Sequence, residues 1–143
     1  MKKATFIATF LCFCFWPINA QTSNDVVNSF FEALNSKNPD LLNDLCLEDM
    51  KLHSLSLGKD MVLTSQSKQG FIEGIKSIPK ETTIFEKITS TEAIVKEHLA
   101  QYTLPYLFYV NDKLSHSGTN VITLLKTDDG WKISYIADTR ERP

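Results

Sequence analysis

The fold of this chain is decided by one stretch near its end: His116-Ser-Gly-Thr-Asn120-Val-Ile-Thr-Leu-Leu-Lys126-Thr-Asp-Asp-Gly130-Trp-Lys-Ile-Ser-Tyr-Ile-Ala-Asp138-Thr-Arg140. Two runs rich in β-branched and aromatic residues flank Asp128-Asp129-Gly130, which has the composition of a type I turn closed by a left-handed glycine. The pattern predicts a hairpin with a three-residue loop. Three cross-strand pairs follow from that loop: Lys126 with Lys132, Asn120 with Asp138, and Gly118 with Arg140.

One face of this hairpin changes from apolar to polar along its length. Near the turn it carries three aliphatic side chains, Ile122, Leu124 and Ile136. Farther along, the same face carries four polar or ionisable groups, which are His116, Asn120, Asp138 and Arg140. Such a gradient is typical of a pocket with an apolar floor and a polar mouth. The sequence therefore predicts a site here and leaves its activity open.

Residues 1–20 have the pattern of a cleaved secretory signal and are excluded from the fold. Lys2-Lys3 precede an apolar run of about a dozen residues, and Ala20 is the small residue that a signal peptidase prefers. The apolar run is too short to span a bilayer. We therefore expect a secreted or periplasmic protein that begins near Gln21 and keeps no stable membrane anchor.

Removing 20 of the 143 residues leaves 123, which suits one domain, 21–143, with a single core. Because the signal carries two lysines and no acidic residue, its loss changes the net charge from −2 to −4. A mildly acidic chain lacks the basic stripe that nucleic-acid binding needs. Of three cysteines only Cys46 remains, so no internal disulfide can form. Its apolar neighbours favour a buried, unreactive thiol over a nucleophile.

The periodicity along the chain predicts two helices, two strands, a third helix and then four strands. Ser23-Asn24-Asp25 and Asn38-Pro39 begin the first two helices, and Ser67 caps a third that ends near Ser77. Strands are expected at 50–57, 61–65, 82–89 and 93–110, the last with a kink near Pro105, before the terminal hairpin. This order predicts an α+β domain whose three helices cover one face of a curved antiparallel sheet of about six strands.

This order of elements, joined to several short pieces of sequence, resembles the nuclear transport factor 2-like superfamily. The pieces are Leu52-His53-Ser54, Thr103-Leu-Pro-Tyr-Leu-Phe-Tyr109, Ser115-His116-Ser-Gly118, and Gly130-Trp-Lys-Ile133 with Asp138-Thr-Arg140. More narrowly, the chain looks like SnoaL-like proteins and the small exported bacterial members labelled lumazine-binding-like. The resemblance spans the whole of 21–143 and implies a cone-shaped sheet with its helices on the concave face. It implies no single activity, because this fold hosts isomerases, dehydratases, binding proteins and adaptors.

His116 and Asp138 are the sharpest candidates for catalysis. A carboxylate beside an imidazole fixes the tautomer of the ring and raises its pKa, which would prepare a general base. The resemblance implies the same chemistry, because enzymes of this superfamily use an Asp or a His–Asp pair. The alternative is a structural contact at the end of the sheet. Arg140 could clamp an anionic ligand group or pair with Asp138 instead.

Other candidates lie outside the hairpin. His53 stands in the middle of the first strand, and Tyr102 and Tyr106 flank Pro105, where they could form an aromatic wall for a flat ligand or fill the core. A metal site of His53, His116 and Asp138 would use acceptable ligands. No short-range ligand spacing supports it, so neither a metal nor another cofactor is expected.

Three functions remain open. The first is binding of a small aromatic or anionic ligand without catalysis, by His53, Tyr102, Tyr106, His116, Asn120, Asp138 and Arg140. The second is an enzyme of the isomerase, dehydratase or cyclase type, with His116 or Asp138 as the general base. The third is a structural module that forms a homodimer through the open face of the sheet. A hydrogen bond between His116 and Asp138 would favour the second, and a pocket filled by tyrosine side chains the third.

Overall fold

A computed structural model describes residues 21–143, so the expected signal sequence lies outside the described residues. Three helices are present: α1 (Ser23–Asn35), α2 (Pro39–Leu45) and α3 (Lys68–Lys76). The first is capped by Thr22, one residue before the predicted group, because the Thr22 hydroxyl and the Asp25 carboxylate form a reciprocal capping box. Asn38 and Ser67 cap the other two as expected. Within 21–143 no helix combines the length and the apolar composition needed to cross a bilayer.

Within residues 21–143, seven strands form one sheet. Their bounds are β1 (Cys46–Leu57), β2 (Val62–Ser67), β3 (Ile84–Ile88), β4 (Glu92–Val95), β5 (Leu99–Val110), β6 (Lys113–Thr127) and β7 (Gly130–Glu141). The single strand expected at 93–110 was wrong, because the chain reverses at residues 96–98 and β4 pairs back on β5. The Lys96 N–H closes that turn on the Leu99 carbonyl at 2.8 Å. Apolar residues on both sides of the turn hid the reversal from the sequence pattern.

The strands lie in the order β2-β1-β7-β6-β5-β3. Strand β4 also pairs with β5, along the same edge as β3 but at a different part of the strand. All neighbours are antiparallel except β1 and β7, which run parallel. The expectation of a purely antiparallel sheet is therefore corrected to a mixed one. The reason is topological: the first and last strands, β1 and β7, lie side by side. They are joined by a long crossover rather than by a hairpin, and a crossover allows neighbouring strands to run parallel. The curved, unclosed sheet and three helices confirm the α+β class.

Pro105 occupies a gap between two neighbours of β5. On that side β4 pairs with residues 100–103 and β3 with residues 106–110, so neither strand faces the proline. Its missing N–H therefore breaks no ladder bond. Its carbonyl accepts from the N–H of Thr89 at 2.9 Å and from the Thr89 hydroxyl at 3.0 Å. The proline thus marks the point where one edge strand gives way to the other.

The terminal hairpin has the predicted register at its site end and a different one at its turn. Asn120 faces Asp138 as expected, but Lys126 faces Trp131 rather than Lys132. Gly130 has the predicted positive φ, +95°, and pairs with Thr127. The extra residue therefore sits farther up β7, opposite the register shift between Thr123 and Leu124. There the Ser134 hydroxyl donates to the Thr123 carbonyl at 3.1 Å.

The core lies between the helices and the inner face of the sheet. The predicted aliphatic residues of the hairpin, Ile122, Leu124 and Ile136, are buried in it. Helix α1 contributes Val26, Val27, Phe30, Phe31, Ala33 and Leu34. These apolar contacts fix the helices against the sheet and so define the walls of a cavity between them.

Candidate functional site

The inner face of the sheet and the helices α1 and α3 enclose a half-open cavity of about 240 Å³, called the inner cavity here. Its apolar walls include Phe30 and Leu34 from α1 and Phe71 and Ile75 from α3. Its polar wall comes from five strands and consists of Gln66, Glu86, Tyr106, His116, Asn120, Asp138 and Arg140. The structure thus brings together five of the seven residues that the sequence singled out. It also adds Glu86, and Gln66 from β2.

Asp138 is the centre of the polar wall, and its side chain is only 7% exposed. Arg140 donates from Nε to one carboxylate oxygen, Oδ2, at 2.6 Å. The Tyr106 hydroxyl lies 3.3 Å from the same oxygen and 2.9 Å from the Thr139 carbonyl. A phenol has one proton to donate, and the Tyr106 hydroxyl donates it mainly to the nearer acceptor, the Thr139 carbonyl. Arg140 is therefore the main partner of the carboxylate. The pairing alternative for Arg140 is therefore the one observed.

The second oxygen of Asp138, Oδ1, is buried and has no hydrogen-bond partner among residues 21–143. A buried acceptor without a partner costs free energy, about 1–3 kcal/mol, and more when it is charged. Such a group is uncommon in folded proteins, and here it belongs to a residue that lines a cavity, where a bound molecule could supply the missing donor.

Glu86 lies on β3, two strands away from its partner Asn120. The Asn120 amide donates from Nδ2 to the glutamate Oε1 at 2.6 Å. Burial raises the pKa of Glu86 to about 7, and the negative charge of Asp138 adds to the rise, while the hydrogen bond from Asn120 opposes it. Near neutral pH Glu86 therefore gains and loses its proton readily, beside an Asp138 side chain that is paired with Arg140.

His116 does not hydrogen-bond to Asp138. Its Nδ1 lies 3.1 Å from the Ser115 hydroxyl, and its ring stacks on Phe108 with centroids 4.8 Å apart. Burial lowers its pKa, and the nearby Arg140 lowers it further. Asp138 raises the pKa of His116 as predicted, but burial and the charge of Arg140 outweigh it, so the net shift is downward and the expected general base is not prepared. His116 serves as a neutral aromatic wall of the cavity.

His53 and Tyr102 lie outside the inner cavity. His53 is on the outer face of the sheet against Tyr135, with ring centroids 5.7 Å apart, because it alternates with the inward-facing Leu52 and Ser54 on β1. The Tyr102 hydroxyl is buried against the Ser23 hydroxyl at 2.8 Å and ties α1 to β5. His53 and Tyr102 therefore do not share a pocket with His116, and His53 is too far from that pocket to form a metal site with it. Residues 21–143 contain no cluster of three His, Cys, Asp or Glu side chains that could hold a metal ion.

A second, more open hollow of about 450 Å³ lies on the outer face and is called the outer groove here. It is lined by His53, Leu55, Leu63, Thr119, Val121, Tyr135, Ala137, Asp138 and Thr139. It is mostly apolar and lies on the face of the sheet away from the helices.

Sequence reasoning missed Glu86 although a signal was present. In the predicted strand 82–89, Ile84, Glu86 and Ile88 share one face, so a charged residue replaces the middle member of an apolar row. A charge at an inward-facing position needs a partner or a function. The partner, Asn120, is 34 residues away, and local patterns do not reveal such a pairing.

Comparison with known proteins identifies the fold. No family sequence model matches the chain, and no curated protein matches it in sequence. A conserved protein from Planctomyces limnophilus has a similar structure, with a TM-score of 0.68 and 16% identity over 84% of this chain and 94% of that one. So does a protein of the NTF2-like family from Streptomyces avermitilis, provisionally assigned as a dehydratase, with a TM-score of 0.62 and 16% identity over 80% and 90% of the two chains.

A third similar structure is the beta subunit of a provisionally assigned aromatic-ring-hydroxylating dioxygenase from Novosphingobium aromaticivorans, with a TM-score of 0.66 and 10% identity over 84% of this chain and 87% of that one. These likenesses confirm the resemblance to the nuclear transport factor 2-like superfamily at the level of the fold. The narrower resemblance to SnoaL-like proteins stays a prediction.

Proposed function

Because a nuclear transport factor 2-like fold here encloses an open cavity with one polar wall, we propose that the protein binds a small organic molecule in the inner cavity. The ligand has a compact apolar body and at least one hydrogen-bond donor. The observation that carries this proposal is the buried Asp138, which lines the cavity and whose Oδ1 has no partner among residues 21–143. A ligand donor at that oxygen removes the cost of leaving it unpaired.

The size of the cavity sets the size of the ligand. Its volume is about 240 Å³, and an apolar cavity of roughly 150 Å³ in an engineered protein admits benzene. A single ring with a short substituent therefore fits. Two stacked aromatic pairs line the cavity, Phe30 with Phe71 at 6.0 Å and His116 with Phe108 at 4.8 Å, and they supply apolar contacts for such a ring.

An anionic ligand, which the sequence left open, is less well matched. Arg140 is the single cation that lines the cavity within the described residues, and its Nε is already bonded to Asp138. Two carboxyl groups share the same wall. The charges therefore support a neutral or cationic ligand.

A second candidate function is acid–base catalysis, and one observation favours it. Glu86 has a pKa raised to about 7 in an accessible cavity, which is the range in which a side chain both accepts and gives up a proton at neutral pH. Two carboxyl groups in different environments in one site, Glu86 buried beside an amide and Asp138 paired with Arg140, are the pattern of an acid and a base. If the protein is an enzyme, Glu86 and Asp138 take those roles in place of His116.

The test of ligand binding is native mass spectrometry of the protein purified from its own host without denaturation. The expected result is a bound small molecule that the variant Gly74→Leu does not retain, since Gly74 lines the cavity and has open space around it. His116→Ala should weaken retention, whereas the matched variant His53→Ala, on the outer face, should not. No bound mass, together with no shift of cavity signals by aromatic fragments in NMR titration, would refute the proposal.

Two further proposals come from the sequence. The first is export with cleavage near Gln21. The second is a homodimer, for which the outer groove with its exposed Leu63 is the candidate surface. Sedimentation of the purified protein tests the dimer, and Leu63→Lys should shift the equilibrium toward monomer.

A further inference from the structure

The inner cavity is lined by more acidic than basic side chains, and this imbalance bears on the charge of its ligand. Its charged lining within 21–143 consists of Glu86, Asp138 and Arg140. Arg140 is 44% exposed and Asp138 only 7%, so water screens the guanidinium far more than it screens the carboxylate. Helices α1 and α3 add only uncharged residues to the wall.

We infer that the ligand of the inner cavity is an organic ammonium: a small amine, protonated on nitrogen and attached to a compact apolar or aromatic group. This inference rests on the proposed binding function and names its ligand class. The nitrogen donates to Asp138 Oδ1, and the apolar group lies between the helices and the sheet. Glu86 supplies the second negative charge.

The hydrogen-bonding chemistry favours a charged donor over a neutral one. Asp138 Oδ1 is an unpartnered carboxylate oxygen within 21–143, on a side chain more than nine-tenths buried. A hydrogen bond from N⁺–H to a carboxylate is roughly twice as strong as a bond between neutral groups. An alcohol or amide donor can occupy the same place, but it leaves the negative charge of the wall uncompensated.

The aromatic lining favours the same class. Phe30, Phe71, Tyr106 and Phe108 line the cavity together with the neutral ring of His116. The faces of aromatic rings attract cations within about 6 Å, and more strongly where water is excluded. An anion would meet these same faces and two carboxyl groups at once.

Binding of a cation should be coupled to release of a proton. The groups that face Glu86 are Asn120 and His116 on β6, Tyr106 on β5, and Asp138 and Arg140 on β7. Burial raises the pKa of the glutamate to about 7 and the charge of Asp138 adds to the rise, whereas Asn120 and Arg140 lower it. A positive charge in the cavity favours the ionised form and lowers that pKa. Near neutral pH the ligand therefore replaces a proton.

The experiment uses three probes of one shape: benzylammonium, benzyl alcohol and benzoate, titrated into the purified protein by calorimetry. Benzylammonium should bind at least about tenfold more tightly than benzyl alcohol, and benzoate should bind most weakly. Between pH 6 and pH 8, where Glu86 ionises and the amine stays protonated, the affinity for benzylammonium should rise by up to about tenfold. Calorimetry in two buffers of different ionisation enthalpy should show proton release at pH 7.

Variants separate the two carboxyl groups. Glu86→Gln should remove the pH dependence and the proton release while keeping the preference for the ammonium. Asp138→Asn should remove the preference itself. His53→Ala, on the opposite face, should change neither. Circular dichroism checks that each variant is folded. If Asp138→Asn does not fold, the inference is tested by the order of affinities of the three probes and by the effect of Glu86→Gln.

The outcomes of this experiment test the ammonium class of the ligand separately from ligand binding in the cavity. If benzyl alcohol or benzoate binds as tightly as benzylammonium, the ammonium class is wrong and ligand binding in the cavity stands. If Asp138→Asn folds and keeps the order of affinities, the ammonium is not held by Asp138 and the inference fails. If none of the three probes binds, the proposed function fails with it.

Discussion

Gly118 lies where the backbone carbonyl of Thr139 crosses from β7, so close that a Cβ on residue 118 would overlap the carbonyl oxygen. That same carbonyl accepts a hydrogen bond from the Tyr106 hydroxyl at 2.9 Å. The adjacent Thr119 N–H bonds to the Thr139 hydroxyl at 3.1 Å instead of to a carbonyl. The absence of a side chain at 118 therefore sets how closely β6 and β7 approach beside Asp138.

Gly118→Ala should destabilise the domain by at least about 2 kcal/mol, because the added methyl group meets backbone rather than a movable side chain. Gly74→Ala is the matched control, since nothing lies within 4 Å of its Cβ and it is inside helix α3. This control should gain about 0.5–1 kcal/mol from helix propensity. Urea unfolding of both variants measures the difference. Equal effects would show that β6 and β7 can separate freely.

The turn glycine presents the opposite situation. Gly130 has a φ of +95° and nothing within 4 Å of its Cβ, so a substitution meets backbone strain and no steric clash. Gly130→Val should cost on the order of 1 kcal/mol or more in the free energy of unfolding. Thermal unfolding measures it. A variant as stable as the wild type would mean that the turn adopts another conformation without loss.

Much of the fold was accessible from local patterns. Capping residues such as Ser67 and the pairing of Asn120 with Asp138 depend on neighbours in sequence and on the period of a strand, so they were predicted correctly. The turn end of the hairpin was not, because a bulge at Ser134 shifts the register by one residue without leaving a clear mark in composition. The site end kept its predicted register because the shift falls between it and the turn.

The candidate site was harder to predict, because its chemistry depends on contacts between distant strands. The sequence placed His53 on the face opposite Ser54 but did not say which face is inward, since leucines occur on both. Asp138 was identified, and its pairing with Arg140, one of the two roles the sequence left open for that arginine, is observed, whereas a hydrogen bond with His116 is not. The position of Glu86 beside Asn120 follows from the order of strands in the sheet, and hydrophobic alternation does not encode that order.

The thiol of Cys46 should be unreactive in the folded protein. It is buried, and burial raises its pKa to about 12, so the reactive thiolate is scarce at neutral pH. We expect slow modification by an aromatic disulfide reagent in buffer and rapid modification in denaturant. Reductant should leave the thermal midpoint of the processed protein unchanged at fixed concentration. A drop with reductant would reveal a bridge between two chains.

The N-terminal signal makes a separate prediction. Intact-mass measurement of protein recovered from the exported fraction should correspond to a chain that begins near Gln21, because Ala20 suits the cleavage site. Ala20→Lys is the matched variant, and it should slow cleavage and leave a larger mass. A form that retains Met1 and accumulates in the cytoplasm would contradict the prediction.

The strongest pH dependence of stability should come from Glu86. Its pKa is raised in the folded protein from 4.5 to about 7, mainly by burial. A carboxyl group whose folded pKa lies above its unfolded pKa costs nothing below about pH 4, where both states are protonated. It destabilises the folded state as pH rises toward 7, because the unfolded state loses its proton first. The full cost is on the order of 3 kcal/mol.

Glu86→Gln removes this titration and keeps an oxygen that can accept from the Asn120 amide. The variant should match the wild type within about 1 kcal/mol at pH 4 and exceed its stability at pH 8 by on the order of 3 kcal/mol. Urea unfolding across this range measures the difference. Glu92→Gln, on the exposed strand β4, is the control and should show no such dependence. If Glu86→Gln has a constant effect from pH 4 to pH 8, the pKa of Glu86 is the same in the folded and unfolded states, and Glu86 is ionised at neutral pH before any ligand binds.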